Sequence, residues 1–83
     1  MAGLNTEVKR KQKSFHVQTE DKGIGINYIE TVIFKSGKIL SSQKTSYAAH
    51  LNQPDLKQII QQMIKQQHQE CLKELSEGKF DHL

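Results

Sequence analysis

The chain has 83 residues, a net charge of +3 and a single cysteine. That length allows one small domain, and at about 60 ordered residues such a domain buries only roughly 60% of its unfolded surface. The lone thiol of Cys71 excludes an internal disulfide, and no run approaches the roughly 20 apolar residues a membrane span needs. With no apolar leader in Met1–Asn5, a reducing cytoplasm is the expected setting.

Residues 1–13 are polar and read as a flexible N-terminal tail carrying the basic run Lys9, Arg10, Lys11 and Lys13. A solvated tail is the plain reading, and a contact to nucleic acid is the alternative, since phosphate binding needs such a patch. From Ser14 to Glu20 the chain alternates, with Phe15, Val17 and Thr19 on one side and His16, Gln18 and Glu20 on the other. This predicts a half-buried strand. Gly23 and Gly25 mark the loop that follows. Tyr28–Lys35 is rich in β-branched and aromatic residues and predicts a second strand.

The two-residue turn Ser36-Gly37 then predicts a hairpin onto Lys38–Tyr47. Simple pairing sets Phe34 against Ile39, Val32 against Ser41 and Tyr28 against Thr45. The opposite face pairs Ile33 with Leu40 and Ile29 with Lys44. Both faces are therefore partly apolar.

Asn52, Pro54 and Asp55 announce a helix, and Gly78 ends it, which predicts α-helix over about Pro54–Glu77. That is about 36 Å long against about 26 Å for an eight-residue strand. Leu56, Ile59, Ile60, Met63 and Ile64 share a face. Gln67 interrupts it, and Cys71, Leu72 and Leu75 resume it about a quarter turn away. The second half of the helix is thus expected to face a partner chain, or else the chain's own end near Phe80.

No motif carries chemistry. His68 and Cys71 are three apart on the helix, but zinc wants about four ligands and His16 and His50 lie on other elements. A Cys71 nucleophile lacks an evident orienting group and cleft. Gly23-Ile24-Gly25 lacks the third glycine and following helix of a phosphate loop. Thr45, Ser46 and Tyr47 read as local capping, with the Tyr47 phenol fastening the strand-to-helix connection. The chain is read as a non-enzyme without cofactor or metal.

The segments FHVQTED at Phe15–Asp21, KTSYAAHL at Lys44–Leu51 and QQHQECLKELSEGKFD at Gln66–Asp81 resemble a small uncharacterised bacterial protein family, over about residues 14–81. The resemblance implies a bacterial cytoplasmic source and brings no activity with it. The strand-strand-strand-helix order is also similar to the end of a double-stranded-RNA-binding domain. The helix here starts with Asn52, Gln53, Pro54 and Asp55, not with a basic cluster.

The expected architecture is α+β: a three-stranded antiparallel β-sheet followed by one long C-terminal helix, forming a single domain over residues 14–80. Ile29, Ile33, Leu40, Leu72 and Leu75 are expected to form an interface, because burying such side chains is worth about 1.5–3 kcal/mol each. That is large beside the roughly 5–15 kcal/mol stability of a small domain. A protein-interaction or assembly module, acting as a homodimer, is the expected function. A nucleic-acid-binding accessory protein using the basic tail is the alternative.

Overall fold

The structure is a computed structural model and describes residues 3–83. Four strands form an antiparallel meander: β1 (Gly3–Arg10), β2 (Lys13–Asp21), β3 (Tyr28–Lys35) and β4 (Lys38–Ser46), in the sheet order β1-β2-β3-β4. A short 3-10 turn (Ala48–His50) leads to one helix, α1 (Leu56–Ser76), which crosses β1, β2 and β3 on one face. The α+β class and the C-terminal helix are as expected, but the sheet has four strands rather than three.

The extra strand comes from the segment read as a tail, of which Met1 and Ala2 lie outside the described residues. Leu4, Thr6 and Val8 share one face and Asn5, Glu7 and Lys9 the other, an alternation of period two hidden by its few apolar residues. Lys11 and Gln12 connect β1 to β2 with φ of 50° and 67°, the two positive values of a tight hairpin turn, in a turn without glycine. The absence of Asn-Gly or Asp-Gly there is why the sequence does not advertise it. β1 pairs with β2 from Gly3 with Glu20 to Arg10 with Lys13.

The second hairpin closes at Ser36-Gly37 as expected, and Phe34 pairs with Ile39. Beyond that point the register slips by one at a bulge, so Ile33 pairs with Ser41, Val32 with Ser42, Ile29 with Thr45 and Tyr28 with Ser46. The slip lets Leu40 pack against the core without forcing Ser42 and Lys44 beneath the helix.

The helix-covered face presents Phe15, Val17, Thr19, Ile29, Thr31 and Ile33, all buried. Two apolar clusters result. Phe15, Val17, Ile33, Cys71 and Leu75 form one, with Val8, Leu40, Leu72 and Phe80 around it. Ile29, Tyr47, Ile60 and Ile64 form the other, with Leu51, Leu56 and Met63. Both halves of the helix therefore pack on the chain's own sheet. Cys71 and Leu75 therefore do not face a partner but are buried in the first cluster, where Phe80 of the chain's own end also packs and Leu72 is half-buried, because β1 widens the sheet beneath the longer helix.

The helix starts at Leu56, with Asp55 at its N-cap making no side-chain capping bond. It ends as predicted at Gly78, whose φ is 88°. The Lys79 amide donates to the Glu74 carbonyl and the Gly78 amide to that of Leu75, the paired bonds of a left-handed helix terminus.

Candidate interaction groove and its polar floor

Ile29, Ile33 and Leu75 are no more than 1% exposed. Leu40 and Leu72 are half-buried against the same core. The proposed interface of Ile29, Ile33, Leu40, Leu72 and Leu75 is thus corrected: three of its members are core side chains of one copy, since the helix takes their face of the sheet.

The opposite face of the sheet is not a bare apolar patch. Tyr28, Val32 and Phe34 are half-buried. Lys44 Nζ sits 5.3 Å from the Tyr28 ring centroid, and the His16 ring lies 6.1 Å from that of Phe34. His16 is itself bound between Glu7 and Asn5 of β1. Ser42 donates to Glu30, and Lys22 pairs with Glu20 at 2.9 Å. Snorkelling side chains cover Tyr28 and Phe34, while Ile39, opposite Phe34, stays 63% exposed.

A groove of about 560 Å³ lies between β1 and α1. Leu4 stands on its strand side, 39% exposed, and Ile64, Lys65, His68 and Leu72 on its helix side. β1 is an edge strand. In a two-residue hairpin the residues flanking the turn exchange backbone hydrogen bonds, so Arg10, Val8, Thr6 and Leu4 bond inward to β2. The amides and carbonyls of Gly3, Asn5, Glu7 and Lys9 then point outward along the groove.

Beneath the groove runs a chain of buried polar side chains that crosses all four strands. Thr45 Oγ1 donates to Gln67 Oε1. Gln67 Nε2 donates to the Gln43 carbonyl at 3.2 Å and to Thr31 Oγ1 at 2.9 Å. Thr31 and Thr19 hydroxyls meet at 2.7 Å. Thr19 Oγ1 lies 2.8 Å from His68 Nδ1, and His68 Nε2 lies 2.9 Å from Thr6 Oγ1. This seam separates the two apolar clusters.

The direction of every bond follows from one anchor. A peptide carbonyl only accepts, so the Gln67 atom facing Gln43 is its amide nitrogen. That nitrogen cannot accept, so Thr31 receives its hydrogen and passes its own to Thr19. Thr19 in turn donates to His68 Nδ1. His68 is therefore the neutral tautomer with its hydrogen on Nε2, donated to Thr6. Burial, and secondarily the His16 charge, push its pKa below the ordinary value, in agreement with that assignment.

The sequence did not single out these residues as a group. The one sign of them was Gln67, placed where the apolar stripe should continue.

Of the basic run, two members are already engaged. Arg10 forms a two-pronged pair with Asp81, Nε to Oδ1 at 2.8 Å and Nη2 to Oδ2 at 3.0 Å, and its Nη1 donates to the Ser76 carbonyl at the helix end. Lys11 lies 3.3 Å from the same carboxylate. Hydrogen bonding to Arg10, opposed by burial and reinforced by Lys11, holds Asp81 down at about 2. Lys9 and Lys13 remain exposed.

Tyr47 does fasten the end of β4, but to the end of β2 rather than to local backbone. It is fully buried, and its hydroxyl donates to Asp21 Oδ1 at 2.7 Å. Burial first, and Asp21 second, push its pKa up to about 12. Cys71 is a buried core thiol raised to about 11 by burial and by Glu74, the reverse of what a nucleophile needs. Among the described residues no cluster of three or more His, Cys, Asp or Glu side chains could hold a metal, and no helix is long and apolar enough to cross a membrane.

Comparison with family models, with curated proteins and with solved structures finds no match to this chain.

Proposed function

We propose that this chain is a protein-interaction module that self-associates through the β1 edge, two copies joining as a homodimer into one continuous sheet. The observation that carries the reading is the unpaired outer edge of β1 lying beside an apolar groove. Backbone groups along an open edge ask for another strand, and the groove asks for apolar side chains at alternate positions of that strand.

The strand's own pattern favours a second copy as the occupant. Leu4 and Val8 stand symmetrically about Thr6 on the helix-facing side of the strand, and Asn5 and Glu7 do so on the other. A two-fold axis at Thr6 sets Leu4 against Val8 of the second copy, twice. It also sets the outward-bonding Asn5 against Glu7, with no like charges opposed. Nucleic-acid binding by the basic run has less support, because Asp81 engages Arg10 and Lys11. A bacterial cytoplasmic setting is part of the proposal and rests on the sequence resemblance.

Sedimentation of the whole chain over a range of concentrations tests it. A mass rising to twice that of the chain is expected. Asn5→Pro, which deletes one outward amide, and Leu4→Glu, which charges the groove, should both return it to a monomer with the fold intact. A monomer at every concentration, or a dimer indifferent to both substitutions, overturns the reading.

A further inference from the structure

We propose that His68 is a proton-sensitive latch on β1, such that uptake of one proton by its imidazole frees the edge strand from the helix. Gln67 is pinned by the Gln43 carbonyl, so Thr31 must donate to Thr19, and Thr19 must donate to His68 Nδ1. A proton on Nδ1 turns that acceptor into a donor. Thr19 can then donate only to Thr31, whose own hydrogen is left without an acceptor because Gln67 faces it with an amide nitrogen. The charged ring also sits in a site that is 3% exposed.

Relief has to come from water, and the low-cost route is β1. It pairs with one neighbour only, and half-buried Thr6 is its one side-chain bond to the imidazole, at Nε2. Opening this strand hydrates the imidazolium and, besides the backbone ladder to β2, breaks the Thr6–His68 bond and the two exposed bonds from His16 to Glu7 and Asn5. The second anchor of β1, Arg10 on Asp81 and Ser76, lies at the hairpin end and keeps the strand attached.

Three elements bring side chains to His68. β1 brings Thr6, β2 brings Thr19, and α1 brings Lys65 alongside in the groove. His16 acts through the sheet from its other face, where it is held by Glu7. The His16 charge disfavours a charge on His68.

The sign is fixed by linkage. A histidine held below its ordinary pKa in the folded state stabilises that state fully above about pH 6.5, and this contribution fades as pH falls toward the native value. For each pH unit in that window the opening equilibrium of β1 rises by up to about tenfold.

This regulation acts on the β1 docking edge and so rests on the preceding reading, while the latch is testable in a single copy. Nitrogen-15 spectra of the full chain at neutral pH should show His68 with Nε2 protonated and Nδ1 bare. Amide exchange of Asn5–Val8, corrected for intrinsic rates, should accelerate several-fold to tenfold between pH 6.5 and 5.5, ahead of β3. His16→Gln should retain that response and His68→Gln should lose it. If His68→Gln fails to fold, the tautomer and the exchange titration of the unaltered chain decide alone. A proton on Nδ1 at neutral pH, or β1 exchange that does not outpace β3, overturns the latch. Acid-driven β1 opening in a chain that is monomeric at every concentration upholds the latch and refutes self-association.

Discussion

The buried hydroxyl pair offers a sharp test of the seam. Thr19→Val keeps the side-chain shape while deleting the hydroxyl that Thr31 donates to and that donates to His68. Both partners stay buried, Thr31 at 2% exposure, so one donor and one ring nitrogen lose their partners together. Each orphan costs about 1–3 kcal/mol, and a methyl group gained in the core offsets part, which leaves a net loss of about 2 kcal/mol. Thr31→Val is milder, about 1 kcal/mol, because Gln67 keeps the Gln43 carbonyl and Thr19 loses only a hydrogen donor. In the double variant the stranded Thr31 donor no longer exists. Its cost should therefore fall short of the summed single costs by about 1 kcal/mol, within the range of coupled neighbours. Urea denaturation reads all three: with a slope near 1 kcal/mol/M, Thr19→Val lowers the midpoint by about 2 M. Costs that add to within about 0.3–0.5 kcal/mol would show that the two hydroxyls do not act as one unit.

Two further outcomes follow from charged and phenolic groups. Asp81, held at about 2 by Arg10 and Lys11, stabilises the fold above its ordinary pKa, and that contribution is lost as pH falls from about 4 toward 2. Thermal melts across that interval should slope with pH, and Asp81→Asn should flatten the slope. Tyr47 has the opposite sign. Its pKa of about 12 means the folded state resists ionisation, so its contribution holds below about pH 10 and fades between 10 and 12. Phenolate absorbance should show one tyrosine titrating late. Tyr47→Phe should abolish that late step and cost about 1 kcal/mol, since Asp21 retains the Gly23 amide.

Much of the architecture could be read from residue pattern, and its failures have physical causes. Phe15, Val17 and Thr19 alternate with polar partners, and the buried face follows them residue for residue. Ser36-Gly37 and Gly78 marked their turn and helix end because each position demands a positive φ. β1 escaped because Lys11-Gln12 makes the same tight turn without glycine, and because only Leu4 and Val8 on its inner face are apolar. Missing that strand had a second consequence. With one strand too few, the sheet looked too small for the helix, so core side chains such as Ile33 and Leu75 appeared to want a partner. The bulge beside Leu40 was equally silent, since a serine-rich partner strand tolerates either register.

Gln67 and His68 were the most informative misfit. In a helix that spends its inner face on Ile60, Ile64, Cys71 and Leu75, two polar residues at the centre cost desolvation that leucine avoids. The positions of their partners suggest what that cost maintains. The seam meets one threonine from each of the four strands: Thr6, Thr19, Thr31 and Thr45. A helix of aliphatic residues can slide by a turn along a β-branched surface and lose little. A helix bonded to four strands at fixed points cannot shift without stranding several buried hydrogen bonds at once. The seam therefore sets where Ile64, Lys65 and Leu72 stand relative to Leu4. It fixes the width of the groove as much as it holds the domain together, so a change in its single titratable member is felt at the docking edge.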